Sequence, residues 1–245
     1  MNLNHRLMNV KKLLYIFPHP DDESFGPGPA IARQVIDGHS VHLLTLTKGG
    51  ATKQRHQFGY TIDEMGEVRA EEMQCVKEVL GLESLTIWDE PDSGLALIDP
   101  IDLEEKIITY IQELRPDVII TYAVHGNSGF PDHLVTHAVV KRAFCQMRRS
   151  GEFCPKRLAF YTISQDYDEG DSPIKLSKSS WKDIDAIYDS GGQALQKGKD
   201  ALDCYGTYGE VIKKTGIKEK LTPKVCFEFF DEEYAPQADS VTTDI

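Results

Sequence analysis

The stretch Phe17-Pro18-His19-Pro20-Asp21-Asp22-Glu23-Ser24 sets one histidine and two adjacent carboxylates directly behind an apolar run. His19 and Asp22 are three apart, a spacing at which a turn entering a helix can aim both side chains at one point. Imidazole plus carboxylate suits a borderline ion such as zinc. Asp21 then points elsewhere, and a carboxylate beside a metal site but not bound to it is placed to act on water as a general base. A plainer reading also fits these residues: Asp22 or Ser24 caps the next helix and His19 is a loop histidine.

A second segment, Gly129-Phe130-Pro131-Asp132-His133-Leu134-Val135-Thr136-His137, follows another strand-like run ending at Tyr122. His133 would complete a His/Asp/His set and leave a fourth position for water, as catalytic zinc sites do. Asp132 reads as the cap of a helix beginning near His133, a duty compatible with steadying a ligand from outside the set. His137 lies one helical turn after His133 and shares its face.

Both segments need strands to bring them together. Residues 13–17 are too short and too β-rich for a helix, and prolines follow at once. In a parallel sheet the C-terminal ends of different strands open onto one crevice, so loops more than a hundred positions apart in the chain become neighbours. Strands are expected at 39–47, 85–88, 117–122 and 157–163, with a late one at 225–230. Helices are expected after Gly26-Pro27-Gly28-Pro29, at 63–80, 103–114 and 133–148, and around 193–202. This alternation predicts an α/β, Rossmann-like fold: a mostly parallel sheet with helices on both faces. Segment 48–61, with Arg55, His56 and Tyr60, is long and polar enough for a lid. Residues 165–178 read as loop and 238–245 as a disordered tail.

With those residues in view, the chain resembles the LmbE/PIG-L deacetylases, metal-dependent enzymes that remove the acetyl group of N-acetylglucosaminyl compounds. It is similar in particular to members of the bacillithiol and mycothiol pathways. The resemblance runs over about residues 11–165, through Pro18-His19-Pro20-Asp21-Asp22-Glu23, Leu44-Thr45-Leu46-Thr47-Lys48-Gly49-Gly50, Arg69-Ala70-Glu71-Glu72, Asp92-Ser93-Gly94 and Pro131-Asp132-His133. It implies metal ligands at His19, Asp22 and His133 and a general base at Asp21, a division that spacing alone does not make. It implies substrate contacts from Arg69 and Asp92; read alone, these would be a solvated helix residue and a turn residue. The expected ion is Zn²⁺, or another divalent transition metal such as Fe²⁺. The expected substrate is a small aminosugar derivative such as N-acetylglucosaminyl malate. Where the family commonly carries a histidine, two residues before Asp132, this chain has Phe130, which can neither donate a hydrogen bond nor carry charge. His125, in the same loop, is the one candidate to take over that role.

Two rival functions are an amidase acting on a thiol conjugate or other N-acylated small molecule, and a non-catalytic metal-binding regulatory domain. The latter is weakened by the absence of a Gly-x-Gly-x-x-Gly turn after the first strand. The 245 residues suit one domain, with a C-terminal portion at 166–237 that shapes substrate choice. Lys and Arg number 27 against 39 Asp and Glu, a net charge of −12 that opposes attachment to nucleic acid or anionic lipid. No apolar stretch of about twenty residues indicates a membrane span, no signal-type region indicates export, and Met8 offers an alternative start. Five scattered cysteines without Cys-x-x-Cys spacing read as reduced thiols in a cytoplasm. Self-association is left open.

Overall fold

A computed structural model describes residues 10–170 and 175–245; Met8 and part of the 165–178 segment lie outside them. The first half contains β1 (Lys12–Phe17), α1 (Gly28–Ile36), β2 (Ser40–Thr47), α2 (Arg55–Phe58), α3 (Ile62–Leu80), β3 (Ser84–Glu90), α4 (Pro100–Leu114) and β4 (Val118–Tyr122). The second contains α5 (Pro131–Ser150), β5 (Arg157–Thr162), β6 (Ala186–Asp189), α6 (Gly191–Asp203), α7 (Gly209–Thr215), α8 (Ile217–Lys220) and β7 (Lys224–Phe229). Among the described residues the strands form one seven-stranded sheet in the order β3-β2-β1-β4-β5-β7-β6. The pairings from β3 to β5 are parallel, whereas β7 runs antiparallel to both β5 and β6. The α/β, mostly parallel architecture is therefore as the sequence predicts.

Alternation along β1 sorts its side chains to two cores. Leu13, Tyr15 and Phe17 join the face covered by α1, α3 and α6, where Ile31, Met73, Val76 and Leu202 pack. Leu14 and Ile16 join the face covered by α4 and α5, with Ile107, Ile111, Val140 and Phe144. Each such side chain contributes ~1.5–3 kcal/mol by leaving water, so a one-residue register slip in β1 would forfeit both faces.

Local chemistry sets the helix ends. The α3 helix opens on a capping box between Thr61 and Glu64 and stops at Gly81, whose φ of 79° is left-handed. Asp99 caps α4 by accepting from the Ile101 amide, and Pro100 fits the first turn. The start of α5 corrects an expectation: Pro131 is its first residue and Phe130 the cap position, so Asp132 lies inside the first turn and does not cap it.

Three further corrections concern the second half of the chain. First, residues 238–245 are not a disordered tail. Ala238 bridges Ala186, Val241 is fully buried, and the Arg157 guanidinium donates to the carbonyls of Val241 and Thr243. Second, β6, α7 and α8 go beyond the expected elements. The strand is only four residues long, and the two helices are one to two turns each, too short for periodicity to reveal. Helix α6 packs on α1 so closely that a Cβ on Gly198 would meet Pro29 Cδ at 2.8 Å.

Third, the cysteines are not all reduced thiols. Cys75 on α3 and Cys204 at the end of α6 form a disulfide with Cα atoms 5.7 Å apart, leaving Cys145, Cys154 and Cys226 free. Spacing could not reveal a pair separated by 129 positions, and the bond removes the ground for inferring a reducing compartment. Cys75→Ser is expected to lower unfolding stability by about 2–4 kcal/mol, the usual worth of a bond closing a long loop. Denaturant unfolding measures this, and an unchanged midpoint would mean the two halves are held by packing alone. No described helix is long and apolar enough to cross a membrane.

Candidate active site

The strand order reverses between β1 and β4, and the loops leaving their C-terminal ends carry the chemistry. His19, Asp22 and His133 converge there, with one potential ligand atom from each lying within 4.8 Å of the others. Asp22 is the hinge of the group. One carboxylate oxygen accepts from the His19 amide at 2.9 Å and lies 3.5 Å from His19 Nδ1. The other accepts from the Tyr122 hydroxyl at 2.6 Å and lies 3.4 Å from His133 Nε2.

His133 is oriented from behind. Its Nδ1 lies 2.9 Å from the Gly126 carbonyl, which fixes the proton on that nitrogen and turns the bare Nε2 toward Asp22. The Tyr122 ring stacks on the imidazole, centroids 4.4 Å apart, and Phe130 meets it edge-on at 5.6 Å.

On the far side of His19, Nε2 lies 3.2 Å from Asp132 Oδ2 and 3.3 Å from Asp92 Oδ1. His19, Asp92 and Asp132 form a second set with ligand-like spacing. Their carboxylates already have other duties. Asp132 accepts from the Ser93 and Leu95 amides, pinning the Asp92 turn, and Asp92 accepts from the Ala51 amide. They serve better as acceptors that orient His19 through Nε2, which leaves Nδ1 on the side of Asp22 in the His/Asp/His set.

Electrostatics point the same way. Burial alone would lower the His19 pKa, but hydrogen bonds to Asp132, Asp22 and Asp92 raise it well above the usual imidazole value. Burial also opposes ionisation of Asp22, yet the facing His133 ring and the His19 hydrogen bond bring it down to about 2. Burial lowers the His133 pKa. Carboxylates outnumber cations around His19, so the donor set fits a divalent metal ion.

Asp21 belongs to neither cluster of potential ligands and turns a carboxylate oxygen to Arg69. Its backbone is left-handed, with φ of 85°, a conformation Asp tolerates better than most residues. That twist lets its amide donate to the Tyr205 hydroxyl at 2.8 Å while Oδ2 accepts from Arg69 Nη2 at 2.7 Å. Burial, helped by Asp22 and Glu23, raises the Asp21 carboxyl above the usual carboxylate value, and the Arg69 charge pulls the other way, toward the ionised form that pairs with it.

Arg69 is not the solvated helix residue that its type suggests. It is 1% exposed and also donates to the carbonyls of Gly49 and Pro20, with Tyr208 stacked 4.1 Å from its carbon. Gly49 is required for this approach, since a Cβ there would lie 2.3 Å from Arg69 Nη1. Arg69 reaches the cavity edge, but its donors are directed mainly at Asp21 and backbone carbonyls.

A cavity of about 440 Å³ opens over this cluster, lined by His19, Asp21, Asp22, Asp92, Asp132 and His133. Its farther wall comes from Phe25, Tyr161, Ile163, Leu176, Val211 and Ile217. Of the expected lid, Thr52 lines the cavity, whereas Arg55, His56 and Tyr60 do not. The candidate stand-in for the missing family histidine fails: His125 Nε2 lies 3.1 Å from Ser179 Oγ, and the residue does not line the cavity. His137 is a packing residue, bonded to the Tyr122 carbonyl and set against Phe160. The sequence reading missed Tyr122, Tyr205 and Tyr208. Tyr122 ends an apolar strand that precedes a ligand loop, which was an available signal; the other two come from a region without a motif.

Residues 14–144 match the family model described as PIG-L, GlcNAc-PI de-N-acetylase. The chain belongs to this family. A PIG-L relative from Kineococcus radiotolerans, named 1D-myo-inositol 2-acetamido-2-deoxy-alpha-D-glucopyranoside deacetylase, is 31% identical over 165 residues, covering 56% of this chain and 46% of that protein. The chain thus spans about half the length of the curated relatives it matches. Among solved structures, a conserved protein of Thermus thermophilus superposes with a TM-score of 0.69 at 21% identity, covering 94% of this chain and all of that one. GalB, the 4-carboxy-2-hydroxymuconate hydratase of Pseudomonas putida, gives 0.67 at 14% identity, covering 91% of this chain and 98% of that one. Likeness this distant establishes a shared fold and leaves the reaction to the site.

Proposed function

We propose that this chain is a metal-dependent N-deacetylase acting on a small N-acetylglucosaminyl compound. The observation that carries the reading is the His19/Asp22/His133 set with the Asp21 carboxylate beside it, held on Arg69, in a chain of the PIG-L family. His19, Asp22 and His133 would hold the ion, zinc or another divalent transition metal such as Fe²⁺. Bound there, such an ion supplies a Lewis acid for the acetyl oxygen and acidifies water.

The protein's own groups do the rest. Asp21 Oδ2 is committed to Arg69, which leaves Oδ1 to take a proton from the water that attacks the acetyl carbon. As the carbon–nitrogen bond breaks, Asp21 returns that proton to the departing nitrogen, so a free amine and acetic acid leave, the acid yields the second water proton to solvent or to the amine, and the Asp21 carboxylate is restored. Asp132 and Asp92 hold the His19 ring. Tyr205 and Arg69 hold Asp21 in its left-handed position. Phe130 supplies no polar group, so no histidine assists from that position.

The aglycone is less defined than the reaction. An acidic one such as malate would call on Arg69, whose Nη1 and Nη2 already donate to Gly49, Pro20 and Asp21. The inositol glycoside named for the relatives places less demand on it. Acetate and free amine should be measured on N-acetylglucosamine, N-acetylglucosaminyl malate and N-acetylglucosaminyl inositol with zinc-loaded protein. Equimolar release of both products from at least one substrate is expected. Loaded protein that releases acetate from none of them contradicts the proposal.

A further inference from the structure

Resting on the deacetylase reading, we infer that Asn127 is a substrate-specificity residue whose carboxamide Nδ2 donates a hydrogen bond to a hydroxyl of the sugar. Asn127 lines the same cavity as the ligand set and is 5% exposed. Its Oδ1 is fully enclosed with no partner, whereas Nδ2 is not enclosed in this way and makes no hydrogen bond among the described residues. A buried carboxamide left unpaired is costly, and native interiors rarely keep one without a reason. With Oδ1 enclosed, Nδ2 is the end of the carboxamide left to a ligand in the cavity that Asn127 lines.

The backbone is held on both sides while the side chain is left over. The Asn127 amide donates to His125 Nδ1 at 3.1 Å, and its carbonyl accepts from the Ser177 amide at 2.7 Å. These bonds bring the β4–α5 loop against the segment that carries Leu176, so the carboxamide sits where the polar cluster gives way to the apolar wall. Next to it, the Ser128 hydroxyl is taken up by His133 Nδ1 and the Gly126 carbonyl. Ile163, Leu176 and Phe130 offer no donor there. A site built around a donor discriminates strongly against a ligand lacking the matching oxygen, because the donor is then buried unpaired.

Asparagine is also favoured here for a second reason, its left-handed φ of 52°. Glycine adopts that conformation equally well and carries no side chain, so Asn127→Gly separates backbone duty from recognition. Equilibrium binding of N-acetylglucosamine and of its 3-, 4- and 6-deoxy analogues should be measured on zinc-loaded parent and variant, with acetate release alongside. The expected result is that one deoxy analogue binds the parent about three- to tenfold more weakly than N-acetylglucosamine, the worth of one hydrogen bond. Asn127→Gly should lose the same factor for N-acetylglucosamine and show no further loss for that analogue.

Equal affinity of parent and Asn127→Gly for N-acetylglucosamine would overturn the inference and leave the deacetylase reading standing. A parent that neither binds nor deacetylates any N-acetyl sugar would overturn both. Should the glycine variant fail to fold, Asn127→Asp keeps the shape and the left-handed backbone but donates nothing. Loss confined to the same hydroxyl supports the inference, and unchanged affinity overturns it.

Discussion

Asp21→Asn is expected to lower kcat on the order of 10²- to 10⁴-fold, the usual contribution of a positioned general base, while metal content stays at the parental level. Asparagine preserves size and tolerates the left-handed backbone, so the Tyr205 contact should survive. What disappears is the ability to take a proton, together with the countercharge of buried Arg69. The variant should therefore also melt earlier, because buried Arg69 keeps neutral acceptors but loses its countercharge. Turnover, melting and metal analysis on one preparation separate these effects. Metal lost along with activity would make Asp21 a ligand; turnover near the parental level would deny it the role of base.

His133→Ala should act in the opposite order, on metal first. The residue lies in the first turn of α5 at the cavity edge, and its Nε2 faces Asp22 across 3.4 Å. Removing a direct ligand should cost more than the roughly 10- to 100-fold in metal affinity expected for changes in the outer shell. The sheet should persist, because His133 contributes to neither core cluster. Metal titration followed by circular dichroism checks both halves of this expectation. A folded variant that retains parental metal affinity and activity would remove His133 from the ligand set.

The parts of this architecture that were legible in the sequence are those governed by short-range patterns. Residues 13–17 read as a strand because apolar β-formers run up to Pro18, and α3 reads as a helix because its periodicity ends at Gly81. That His19, the Asp21-Asp22 pair and His133 meet was legible because their loops leave strand ends, where a parallel sheet gathers them; which aspartate joins the histidines came from the family resemblance. Long-range pairings were not. Nothing local to Arg69 says that Asp21, 48 positions away, will take its charge, or that Tyr208 will cover it. The disulfide between Cys75 and Cys204 and the anchoring of the last residues on Arg157 likewise depend on how finished layers meet. Asp132 was misread in a smaller way. Its position before an expected helix suggested a cap, but Pro131 starts the helix earlier and frees the carboxylate to orient His19 and the Asp92 turn.

The most direct test of the account is acetate release from N-acetylglucosaminyl substrates before chelation, after chelation, and after zinc is restored to one equivalent, with bound metal counted at each stage. The account predicts activity that vanishes with the ion and returns with it, at a stoichiometry of one per chain. Full activity in protein stripped of metal would contradict it.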